Sequence, residues 1–197
     1  MSATSNPKLT VNLQLRHHRF SVDAYDEMVA RGILTSDDRV ELLAGEIVEM
    51  APIGSRHAAC VSRLTRLFTL ALKDRAIVWV QNPVALPPDS EPEPDIAILQ
   101  PREDFYASGH PRARDVLLLI EVAESSLAVD QLLKLPLYAG AGVVEVWIVD
   151  LAAGAIEAYT RPEQGKYGER RVVHGDMGLT PIAFAGLRLC VRDIVVS

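Results

Sequence analysis

"VLLLIEVAESSLAVDQLLKLPLYAGAGVVEVWIVD", residues 116–150, is the stretch on which the fold turns. Its first eight residues, 116–123, are apolar except for Glu121, and so short an aliphatic run reads as a strand. "AVDQLLKLPLYAGAG" (128–142) reads as a helix that Pro136 bends or shortens and that glycines close. "VEVWIVD" (144–150) then reads as a buried strand. Strand, helix and strand in close succession point to the α/β class.

Working outward, two more strand-like runs precede this unit, "AIVWVQNPVAL" (76–86) and "DIAIL" (95–99). "QPREDFYASGHPRARD" (100–115) carries Pro, Gly and charge and reads as a loop. "SRHAACVSRLTRLFTLALKD" (55–74) is the clearest helix. Cys60, Val61, Leu64, Leu67, Phe68 and Ala71 repeat at helical spacing, while Arg63, Arg66 and Lys73 face elsewhere. "RVELLAGEIVEMAP" (39–52) suggests a hairpin turning at Ala44-Gly45. "SVDAYDEMVARG" (21–32) reads as a short helix with Ser21 as N-cap and Gly32 as its stop. Downstream, "AIEAYTR" (155–161) and "ERRVVH" (169–174) form an expected antiparallel pair, and "PIAFAGLRLCVRDIVVS" is an apolar end piece. The order is hairpin, then α, β, β, β, α, β, then edge strands: a mixed sheet flanked by helices. Residues 1–17 read as a flexible tail and 18–197 as a single domain.

With 49% hydrophobic residues in 197, a full core needs no covalent staples. Cys60 and Cys190 lie among apolar neighbours and read as reduced core thiols. The N-terminus lacks the apolar segment of a secretory signal, and no run approaches the ~20 apolar residues of a membrane span. A soluble, cytoplasmic protein is expected. The net charge of −6 argues mildly against nucleic-acid binding, although a bound divalent metal offsets an acidic whole.

Two acids interrupt the apolar strands. Asp95 follows Pro94 in "EPEPDIAILQ" (91–100), and Glu121 ends an apolar run. A buried, unpaired carboxylate costs several kcal/mol, so each needs a partner or a metal. On neighbouring strands the two could serve one ion, since two carboxylates, a backbone carbonyl and waters make an oxygen-rich Mg²⁺ site. Alternatively each simply ends its strand near solvent or an arginine. Asp130, Lys134 and Tyr138 share one helix face, which leaves Lys134 either turned toward the acids or exposed and paired with Asp130. His17, His18, His110 and His174 show no metal-ligand spacing with one another, and no role is assigned to them.

"PD" at 94–95, "EVA" at 121–123, the Asp130, Lys134 and Tyr138 spacing running into "GVVEVWIVD", and "VELLAGEIVEMAPIGSRH" (40–57) together resemble the PD-(D/E)XK nuclease superfamily. Within it the chain is similar to the Uma-two-type family of restriction endonucleases, over about residues 18–160. The resemblance implies a restriction-endonuclease-like αβββαβ core. It makes Asp95 and Glu121 the motif acids and Asp95, Glu121 and the Val122 carbonyl the holders of Mg²⁺ or Mn²⁺. The motif lysine belongs two residues after the glutamate, where this chain has Ala123. In this family a lysine of the following helix takes its place, and Lys134 is the matching position. Glu41 and His57 also match family positions: Glu41 either completes the metal shell or is an exposed hairpin acid, and His57 either contacts phosphate or shuttles a proton, or is a plain helix-start histidine. Glu124, where relatives often carry serine, adds negative charge beside the site.

The expected activity is metal-dependent hydrolysis of DNA phosphodiester bonds. A homodimer is expected because a paired cut across a duplex needs two sites. Two rivals remain open from the residues alone: a nuclease-like module that only binds a partner, and a metal-dependent hydrolase of a smaller phosphate ester.

Overall fold

The computed structural model describes residues 17–35 and 37–195, so most of the expected tail, 1–17, lies outside the described residues. A six-stranded sheet forms the centre, ordered β3 (Ile77–Val80), β4 (Ile96–Leu99), β5 (Val116–Ala123), β6 (Glu145–Asp150), β7 (Ala155–Glu163) and β8 (Lys166–His174). Neighbours are antiparallel except for β5 and β6, which run parallel. A parallel pair needs a crossover. Here it is the helical run of α3 (Leu127–Val129), a π turn (Asp130–Lys134) and α4 (Leu135–Ala141). The mixed α/β sheet read from residues 116–150 is therefore the fold observed.

Side-chain alternation assigns each face of the sheet a helix. Ile96, Ile98, Leu118, Ile120 and Val122 pack with Cys60, Val61, Leu64 and Phe68 of α2 (Ser55–Leu72). Ala97, Leu99, Leu119, Ala123 and Ile148 pack with Leu135 and Tyr138 of α4. Glu121 alternates with Leu119 and Ala123 and so faces the α4 side.

In front of the sheet, β1 (Val40–Leu43) and β2 (Glu46–Glu49) form the expected hairpin. Its turn places Ala44 at φ +49° and Gly45 at +79°, the doubly left-handed backbone that favours glycine. A Cβ on Gly45 would also sit 2.6 Å from Arg19 Cβ. Helix α1 (Val22–Ala30) begins where expected, with Ser21 Oγ accepting the Ala24 N–H at 3.2 Å. A separate small core joins Val22 and Tyr25 of α1 to Leu42 and Ala85.

Three segments depart from expectation. The strand read over 76–86 stops at Val80, because Gln81 turns left-handed at φ +49° ahead of Asn82-Pro83. Ala85 and Leu86 instead make isolated bridges to Arg112 and Ser90. The β7–β8 pair is longer than expected. Gln164 and Gly165, at φ +50° and +75°, close it tightly, and Pro162 lies past the last β6 pairing at Thr160, where no third strand needs its N–H. Third, the helix read over 128–142 contains a π turn in which Leu135 N–H reaches Asp130 O. Pro136, one residue on, has no N–H to continue the normal ladder. Among the described residues no helix is long and apolar enough to cross a membrane.

Candidate functional site

Extending the register Ile96↔Ile120 by one residue sets Asp95 opposite Glu121, so the two acids stand on adjacent strands. The Asp95 N–H lies 3.4 Å from Glu121 Oε2. Asp95 Oδ2 accepts the Val122 N–H at 2.8 Å and lies 3.0 Å from His57 Nε2. In a strand the N–H and C=O of one residue point to the same side, so the Val122 carbonyl faces Asp95 as well. His57 enters from the first turn of α2, and its Nδ1 is buried without a hydrogen-bond partner among the described residues. Its pKa is raised, chiefly because the hydrogen bond to Asp95 favours the charged ring, against an opposing effect of burial.

Lys134 is buried, not exposed. Its Nζ lies 3.0 Å from Glu41 Oε2 and 3.5 Å from Glu121 Oε1. Glu41 is buried too, and its Oε2 also accepts the Glu93 N–H at 3.1 Å. Tyr138, one helical turn past Lys134, donates its hydroxyl to Glu121 Oε1 at 2.5 Å. Asp130 is buried and accepts the Ser126 hydroxyl at 2.8 Å. The face shared by Asp130, Lys134 and Tyr138 is thus the inner face, which overturns the alternative of an exposed Asp130–Lys134 pair.

Burial pushes the Glu121 carboxyl above its usual range, and the Lys134 ammonium pulls the other way and favours the carboxylate. Burial works against the Lys134 charge, but Glu121 and Glu41 outweigh it and its pKa is raised overall. The lysine therefore stays an ammonium between two carboxylates.

These groups line one cleft of about 270 Å³, bounded by the segment after β2, the start of α2 and the α3–α4 run. Seven carboxylates line it (Glu41, Glu49, Glu93, Asp95, Glu121, Glu124 and Asp130) against the cations of Arg39 and Lys134. That surplus favours a bound cation. The donors available suit a hard one. Asp95 Oδ1 has only a 3.4 Å contact with Gln81 Nε2, and Glu121 Oε2 only its 3.4 Å contact with the Asp95 N–H. Each acid thus keeps one oxygen nearly unused beside the Val122 carbonyl, the all-oxygen set Mg²⁺ prefers. Glu124 does not add to it freely, since it pairs with Arg56 at 3.5 Å.

The structure gathers Asp95, Glu121, Val122, Lys134, Glu41 and His57 in one place. Sequence reasoning missed Gln81 and Glu93, which reach the cleft from a left-handed turn and from the proline-rich "EPEPD" segment. Neither position carries a sequence signal for that. It also missed that His110, given no role, meets Glu91 and Asp26 elsewhere on the molecule.

Among curated proteins none matches the chain. In solved structures, a crystal structure described as "a putative nuclease belonging to DUF820" from Anabaena variabilis ATCC 29413 superposes with a TM-score of 0.68. The two share 18% identity, over 89% of this chain and 97% of that one, a likeness of fold. The model of the Uma2 family, described as "Putative restriction endonuclease", matches residues 22–192. That match spans the sheet, both crossover helices and every group in the cleft, and the chain belongs to this family.

Proposed function

We propose that the protein is a metal-dependent endodeoxyribonuclease that hydrolyses DNA phosphodiester bonds at the Asp95–Glu121 cleft. One observation carries the reading: two acids on adjacent strands, each with an oxygen left over, beside a buried lysine that the following helix supplies. Asp95, Glu121 and the Val122 carbonyl would hold Mg²⁺ or Mn²⁺. Such an ion, when bound, lowers the pKa of water and neutralises charge on the scissile phosphate.

The chain's own groups do the positioning. The Val122 N–H and His57 fix Asp95 Oδ2, which turns Oδ1 toward the cleft. The Tyr138 hydroxyl fixes Glu121 Oε1 in the same way. Glu41 and Glu121 hold the Lys134 ammonium at 3.0 and 3.5 Å, and its three N–H donors leave capacity to orient a water or a phosphate oxygen. In this reading Glu41 acts as the counter-ion that aims Lys134, not as a metal ligand. A cut through both strands brings two such sites together, so the reading includes a homodimer.

The binding-only alternative draws on the same excess of acids, which repels DNA unless a divalent ion is present. The test is cleavage of supercoiled plasmid, single strands and bis(p-nitrophenyl) phosphate with Mg²⁺ or Mn²⁺, comparing the parent with Asp95→Asn. The proposal expects nicked or linear plasmid from the parent and none from Asp95→Asn at unchanged melting temperature. Equal cutting by both proteins removes Asp95 from the site. Turnover of the small ester alone favours the phosphate-ester reading, and no turnover despite Mn²⁺ binding favours the binding module.

A further inference from the structure

Outside the cleft, three segments far apart in the chain meet. Asp26 comes from α1, Glu91 from the segment leading to β4, and His110 from the loop before β5. One ligand atom from each lies within 4.8 Å of the other two, the only such trio of His, Cys, Asp and Glu among the described residues. Glu91 is the anchor. Its side chain is 3% exposed, and among the described residues its carboxylate has no polar partner except His110, at 3.1 Å. Its backbone is pinned to β1 on both sides, donating to Leu42 O at 2.7 Å and accepting from Leu42 N at 3.3 Å.

A carboxylate that deeply buried needs a full positive charge. His110 is the one cationic partner that Glu91 meets among the described residues, and Asp26 adds a second negative charge beside it. The arginines around the adjoining hollow of about 400 Å³ do not answer this need: Arg102, for one, is committed to Asp104 and Ser108.

We propose that Asp26, Glu91 and His110 form a second metal site, of zinc type, that ties α1 and the loop before β5 to the segment leading to Asp95. An imidazole nitrogen and carboxylate oxygens are both ligand types that zinc takes, and three protein ligands leave a fourth position open to water. Ligands about 2.0–2.1 Å from a tetrahedral ion lie roughly 3.3 Å apart, so the 3.1 Å His110–Glu91 spacing needs little adjustment. The all-oxygen cleft suits Mg²⁺, whereas the single nitrogen here favours a softer ion. The site does not depend on the nuclease reading.

The test is Co²⁺ titration of the full-length chain in excess Mg²⁺, read by visible absorption, with Asp95→Asn, His110→Gln and Asp26→Asn alongside. Asp26 is exposed on α1, so Asp26→Asn keeps the fold, which its metal-free melting temperature verifies. About one Co²⁺ per chain should bind to the parent and to Asp95→Asn, with affinity about 10- to 100-fold weaker or worse in the other two variants. Zn²⁺ should raise the melting temperature of the parent and not of those two. Co²⁺ binding that Asp95→Asn abolishes and His110→Gln leaves intact would assign the ion to the cleft and overturn the proposal. Absence of binding, or binding indifferent to both ligand variants, would overturn it as well.

Discussion

Lys134→Met removes the one cation that two buried carboxylates share. The Lys134 side chain is 8% exposed, and those of Glu41 and Glu121 are 6% and 4% exposed. Methionine keeps most of the length and apolar contact, so the change isolates the charge. Removing one partner of a buried ion pair costs about 3–5 kcal/mol, because the other partner stays behind uncompensated. With a urea slope of about 2 kcal/mol/M, the midpoint should fall by about 1.5–2.5 M. The assay is urea unfolding at pH 7 in EDTA, followed by fluorescence of the buried Trp147. Adding Glu41→Gln to Lys134→Met removes one of the stranded charges and should recover about half of the loss, a coupling that independent sites would not show. A midpoint shift below about 0.5 M, or a double variant that simply sums the single effects, would refute a buried Glu41–Lys134–Glu121 triad.

Tyr138→Phe deletes the hydroxyl that donates to Glu121 Oε1 and should cost about 1.5–3 kcal/mol, the range for a hydrogen bond to a charged group, by the same urea assay. Glu157 is held below its usual carboxylate range: burial alone would raise it, but Arg170, Tyr159 and Gln131 prevail. A depressed folded pKa gives stability that is present above the ordinary value of 4.5 and lost as pH falls through the folded one. Melting curves from pH 7 down to about pH 3 should therefore fall less steeply for Glu157→Gln than for the parent, with parallel curves as the contrary result.

The fold was legible where a pattern is local. Residues 116–123 and 144–150 are apolar strands by run length alone, Ala44-Gly45 marks the hairpin turn, and the stripe from Cys60 to Phe68 marks the face of α2. The family match was legible because it rests on several short motifs at once. What escaped depends on contacts that no spacing records. Helical spacing aligned Asp130, Lys134 and Tyr138 but could not say which way their face points. That direction follows from the parallel crossover, which lays the helix over Glu121. The burial of Glu41 comes from Glu93, 52 residues later, lying across the hairpin. The meeting of Asp26, Glu91 and His110 arises in the same way, from one helix and two loops that only the folded chain brings together.

The central claim is that Asp95 and Glu121 hold one divalent ion, and anomalous diffraction from a crystal of the full chain soaked in Mn²⁺ addresses it most directly. The account predicts an ion in the cleft about 2 Å from Asp95 Oδ1, Glu121 Oε2 and the Val122 carbonyl, with Lys134 still between Glu41 and Glu121. A cleft without an ion at saturating Mn²⁺, or an ion there that neither Asp95 nor Glu121 touches, would contradict it.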